Sequence, residues 1–83
     1  MNKVYVLLQV DGEDVRVRAY KDNYKAAAHV MEYIYGEDWE IQMNDEEWEL
    51  SSEIQSNYDS LLNGFGFTYE GITWNIEETQ FYD

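Results

Sequence analysis

The chain has 83 residues, 45 % of them hydrophobic and 17 % aromatic, with no cysteine, no proline and a formal net charge of -13. One domain of this size, spanning 1–83, buries only about 60 % of the surface its unfolded form exposes, yet its aromatic content is that of a folding chain and not of an acidic disordered segment. The lack of cysteine excludes a disulfide scaffold and thiolate metal sites, and the charge argues against direct contact with nucleic acid or anionic lipid.

At the amino terminus only Val4 to Leu8 form an unbroken apolar run, too short for a signal-peptide core or a membrane span, so a cytoplasmic protein is expected. Val4, Val6, Leu8 and Val10 alternate with Tyr5, Leu7 and Gln9, the pattern of a strand with those aliphatics on its buried face. "DGED" supplies a tight turn, and Val15, Val17 and Ala19 alternate with Arg16, Arg18 and Tyr20. Residues 3–20 therefore read as a hairpin.

The period changes after Lys21. Asp22 or Asn23 caps a helix whose apolar positions Tyr24, Ala27, Ala28, Met31, Ile34 and Tyr35 follow helical spacing, and Gly36 ends it. Lys25, His29, Glu32 and Tyr33 fall on its outer side. In "GEDWEIQMNDEEWEL" the alternation of Trp39, Ile41 and Met43, then Trp48 and Leu50, predicts a second hairpin turning at Asn44 to Glu46. Ser51 or Ser52 caps a second helix, Ser52 with Gln55 as a capping box, carrying Ile54, Tyr58, Leu61 and Leu62 and closing at Asn63 and Gly64. Phe67 and Tyr69, a Glu70–Gly71 turn, and Ile72, Trp74 and Ile76 make a third hairpin, which the last residues extend or from which they fray. The expected fold is α+β, a small antiparallel sheet built from hairpins in ββαββαββ order, with two helices packed on it.

The placement of charge says more than its size. All five basic residues, Lys3, Arg16, Arg18, Lys21 and Lys25, lie in the first 25 positions, which sum to +1 against Asp11, Glu13, Asp14 and Asp22. From Ala26 to Asp83 there are fourteen acids and no lysine or arginine, giving -14. Glu37, Asp38, Glu40, Asp45, Glu46, Glu47 and Glu49 crowd into one short stretch. Like charges facing each other across strands destabilise by up to about 1 kcal/mol per pair, so this face costs stability. Same-face strand neighbours lie about 6.6 Å apart and helix neighbours about 5 to 6 Å, comparable to phosphates along a nucleic-acid strand. Such a row can imitate a phosphate backbone to arginines and lysines shaped for DNA; the plain alternative is a solvated acidic surface that maintains solubility.

In size, charge and the central "GEDWEIQMNDEEWEL", the whole chain resembles the nucleic-acid-mimicking inhibitors of bacteriophages and mobile elements, including anti-restriction and anti-CRISPR proteins. Those proteins share a strategy and no common fold, so no residue role carries over. The resemblance implies a basic nucleic-acid-binding partner, a host nuclease or defence complex, whose groove is blocked sterically and electrostatically in the host cytoplasm.

The partner-binding residues expected are thus Glu37, Asp38, Glu40, Asp45, Glu46, Glu47 and Glu49, with Tyr33 as an aromatic anchor. The alternative is a non-enzymatic assembly module, monomer or homodimer, that self-associates through a strand edge or exposed aromatics. No Ser-His-Asp order, cysteine nucleophile or phosphate loop points to an enzyme, and His29, the only histidine, reads as a surface residue. "DGED" and "NDEE" carry oxygen ligands without the spacing of a calcium loop, so no metal and no cofactor is expected.

Overall fold

A computed structural model describes residues 2–81. β1 (Asn2–Asp11) and β2 (Asp14–Tyr20) form the first hairpin, in a register that sets Tyr5 opposite Tyr20 and Val10 opposite Val15. Three helices follow, α1 (Asn23–Tyr35), α2 (Trp39–Met43) and α3 (Ser51–Leu62). β3 (Phe67–Tyr69) and β4 (Ile72–Phe81) close the chain as a second hairpin; Tyr82 and Asp83, where extension or fraying was at issue, lie outside the described residues. The sheet is antiparallel in the order β2-β1-β4-β3, so the first and last strands are neighbours at its centre. The fold is α+β in ββαααββ order.

The helices share one face of the sheet. Leu7, Trp74 and Ile76 meet Ala26, Ala27, Val30 and Met31 of α1, Trp39 of α2, and Ile54 and Leu61 of α3 in a single buried cluster. α1 is capped as the sequence suggests. The Asp22 carboxylate accepts from the Tyr24 amide at 2.8 Å, and Gly36, at φ 97°, takes the left-handed conformation that ends the helix. Its buried stripe runs through Ala26 and Val30 more than through Tyr24, which is exposed.

Three expectations are corrected. The side of β1 packed against the helices is the one carrying Tyr5 and Leu7, so Val6, Leu8 and Val10 lie on the face without helices, opposite Ala19, Val17 and Val15, and of the four aliphatics expected to be buried only Val4, which pairs with Thr79, is buried. β1 is apolar on both faces, so alternation does not choose between them. The choice is made across the sheet, where Ile76 lies beside Leu7 and Trp74 beside Gln9. The second hairpin does not form, and residues 39–43 are a one-turn helix. Trp39 and Met43, four apart, share its inner side, while Ile41 points out. α3 begins after Leu50, which caps it with no side-chain hydrogen bond, so the Ser52–Gln55 capping box is absent. Ser51 instead donates its hydroxyl to the Met43 carbonyl at 2.6 Å, pinning the start of α3 to the end of α2.

Candidate functional site

Gly36 stops α1, and the two acids that follow it, Glu37 and Asp38, stand at the amino-terminal end of α2, with Glu40 in its first turn. Negative charge there meets the positive end of the helix dipole, a favourable contact worth about 0.3–1 kcal/mol. A cross-strand arrangement would instead have set carboxylates against carboxylates. This glycine-then-acids order ahead of Trp39 is the sequence signal that separates helix from strand. Trp39 anchors the segment, its ring 5.3 Å from that of Tyr58 and 6.3 Å from that of Tyr24. Asp38 accepts from the Gln42 side chain at 2.8 Å, and Glu40 accepts from the Tyr24 hydroxyl.

After α2 the chain makes tight turns. The Trp48 amide donates to the Asp45 carbonyl and the Ser51 amide to the Trp48 carbonyl, while the Asp45 carboxylate accepts from the Glu47 amide at 3.1 Å. All seven acids from Glu37 to Glu49 are exposed. They follow a helical turn and a loop, not a strand row, so the 6.6 Å strand spacing does not apply. Among the described residues none of the seven pairs with a lysine or arginine; the one ion pair is Lys3 to Glu78, at 3.2 Å on the surface. Glu37, Glu46, Glu47 and Glu49 make no side-chain hydrogen bond among the described residues.

Two further residues, unassigned by the sequence pattern, belong to this surface. Ile41 is 73 % exposed and Trp48 42 % exposed, both within the acidic stretch. The strand reading turned them inward. Their exposure supplies apolar anchors: covering Ile41 contributes up to about 1.5–3 kcal/mol, and Trp48, already more than half covered, contributes only its remaining exposed part. Tyr33, although 64 % exposed, stands elsewhere. Its ring meets Trp74 edge-on at 5.9 Å, and it lines a cavity over β1 and β2.

That cavity, about 250 Å³, is lined also by Gln9, Asp11, Asp14, Arg16, Arg18 and His29. His29 is half-buried, its ring 6.2 Å from that of Tyr20, and not simply on the surface. Burial, and then the positive charge of Arg18, hold its pKa below the usual 6.5. The two arginines share the cavity with two aspartates, so the lining is electrically balanced. Among the described residues no three His, Asp or Glu side chains gather as metal ligands, and no helix is long and apolar enough to cross a membrane.

Comparison with family models, with curated proteins and with solved structures gives no match.

Proposed function

We propose that this chain is an acidic inhibitory binding protein, which occupies the nucleic-acid-binding surface of a basic protein such as a host defence nuclease. The observation that carries the proposal is the segment of residues 37–49, where seven exposed carboxylates, none paired with a lysine or arginine among the described residues, stand in one short stretch of chain with exposed Ile41 and Trp48. Two carboxylates about 6 Å apart in water repel by roughly 0.7 kcal/mol, so packing seven together works against folding. Solubility asks only for scattered charge. A cationic groove lined by arginine and lysine repays the repulsion, and the two apolar side chains add contacts that a phosphate backbone lacks. They favour a protein target over a general polycation.

The proposal is tested by immobilising the protein, passing host lysate at low salt, and eluting with short duplex DNA. Proteins released by DNA, retained by the native chain and lost on a column of the E37Q/E46Q/E47Q/E49Q variant, are the expected result. Retention that DNA does not reverse, or that survives removal of the four charges, refutes nucleic-acid mimicry.

A further inference from the structure

The face of the sheet that the helices leave open is aliphatic. Val6, Leu8 and Val10 of β1 stand opposite Ala19, Val17 and Val15 of β2, an unbroken block of three cross-strand pairs. Val15 is 57 % exposed and Val17 61 %. On the other flank β4 presents Thr73, Asn75, Glu77 and Thr79, of which only Glu77 is charged. Val6, Leu8 and Val10 are half-buried and Val4 is buried, but an outward row as open and apolar as that of β2 is unlike the alternation of a solvated antiparallel face, where the outward row is polar. A contiguous exposed apolar patch marks an interaction site.

Charge selects the occupant. Residues 3–20, which carry the block, hold Lys3, Arg16 and Arg18 against Asp11, Glu13 and Asp14, a sum of zero; the entire -13 lies outside the hairpin. Any second copy brings another -13, and the neutral hairpin is where two copies approach with least repulsion. The geometry agrees. Ten-residue strands about 33 Å long and about 4.8 Å apart give the whole face a projected area near 480 Å², close to the lower end of what each partner contributes to a specific interface, about 600 Å². A two-fold axis through the block sets valine rows on valine rows, two sheets packed about 10 Å apart, as in a sandwich. Glu77 then falls at the rim, because β4 beyond Trp74 has lost its β3 neighbour and is itself a sheet edge.

We infer that two copies of this chain pair through the open face of the sheet, with the Val6–Leu8–Val10 and Val15–Val17–Ala19 rows at the centre and the acidic segments of residues 37–49 left free. A face of this size puts the pairing at the weak end of specific association. The inference stands on the sheet alone and does not depend on what the acidic surface binds. Salt separates the two: it screens the repulsion between copies and strengthens the dimer, whereas it weakens acid-to-base recognition.

The test is sedimentation equilibrium over a wide concentration range at low and high salt, on the native chain, V17K and I41S. Val17 is exposed on an edge strand, so V17K keeps the fold, verified by an unchanged circular dichroism spectrum and melting midpoint at low concentration. The expected result is a dimer that tightens with salt, weakens at least tenfold in V17K, and is unaffected in I41S. A monomer at every concentration and salt, a dimer that V17K leaves intact, or one that I41S dissolves overturns the inference.

Discussion

The hydroxyl of Tyr24, in the first turn of α1, donates a hydrogen bond to the carboxylate of Glu40 in α2. Glu40 is therefore the member of the acidic stretch that also ties two helices together. Its carboxylate raises the Tyr24 pKa from 10.0 to about 12, the hydrogen bond acting first and desolvation second. A folded-state pKa above the unfolded one gives stability that is complete below pH 10.0 and fades as pH rises toward about 12. Tyrosinate absorbance of the native chain accordingly shows late-titrating groups, since burial also raises Tyr35 and Tyr58. Y24F removes one of them, and E40Q, which retains an acceptor but not the charge, returns Tyr24 toward 10.0. An unchanged titration in both variants contradicts the contact.

Trp39 fixes α2 to the rest of the core and is fully buried. W39A is expected to cost about 3–5 kcal/mol through lost transfer energy and the cavity left behind. A chain of 83 residues has roughly 4–12 kcal/mol in all, so this variant loses from about a quarter to all of its stability, read as a large fall in its urea midpoint. Trp48 provides the contrast: W48A changes stability by less than about 1 kcal/mol while weakening retention of the target.

The different fates of these two tryptophans show what was legible in the sequence. Both hairpins that formed carry an Asp-Gly or Glu-Gly turn between alternating rows, and α1 carries its cap, its stripe and its terminating glycine, all local signals. Residues 39–43 carried conflicting local signals: Trp39 and Met43 are apolar in both the strand and the helix reading, Ile41 favoured the strand, and the glycine and acids ahead of Trp39 favoured the helix. Its outward placement follows from α2 lying against Tyr24 and Tyr58, contacts between elements far apart in the chain. The buried side of β1 was hidden likewise, since both sides are apolar and only β4 chooses. The crowding of acids was legible by composition; its helical and looped course was not.

Gly66 sits at φ +67°, and a Cβ built on it would come within 2.5 Å of the Trp74 carbonyl oxygen. Backbone cannot yield there as a flexible side chain could. Gly71 also has a left-handed conformation, φ +83°, but nothing lies within 4 Å of its added Cβ. G71A is thus expected to cost about 1 kcal/mol, the left-handed penalty alone, and G66A about 2–4 kcal/mol, with the extra loss coming from displacement of β3 against β4. Equal melting midpoints for the two variants would show that the strand pair accommodates the methyl freely.

Burial lowers the His29 pKa below 6.5, Arg18 adds to the effect, and Glu32 opposes it. In the window between the folded value and 6.5 the unfolded chain binds more protons, so stability falls as pH drops through that window and levels off below it. Proton magnetic resonance should place the imidazole midpoint below 6.5, and R18Q should move it up. H29Q removes this part of the acid slope. A midpoint at or above 6.5 in the native chain would mean that the ring is solvated and the cavity beside it open.

Neutralising Glu37, Glu46, Glu47 and Glu49 together tests whether the acidic surface works against folding. None of the four makes a side-chain hydrogen bond or ion pair among the described residues. Glu37 alone has a favourable setting, beside the amino-terminal end of α2. The E37Q/E46Q/E47Q/E49Q variant should be more stable than the native chain by about 1 kcal/mol at low ionic strength, and the gain should vanish near 1 M salt, where charges more than about 3 Å apart no longer sense each other. It is read as the difference between urea midpoints at the two salt concentrations. A protein that becomes sturdier on losing these charges carries them at a cost to its fold, as the proposed binding role requires. A loss of stability at low salt would instead make the carboxylates part of the scaffold, and the binding surface would have to be sought elsewhere.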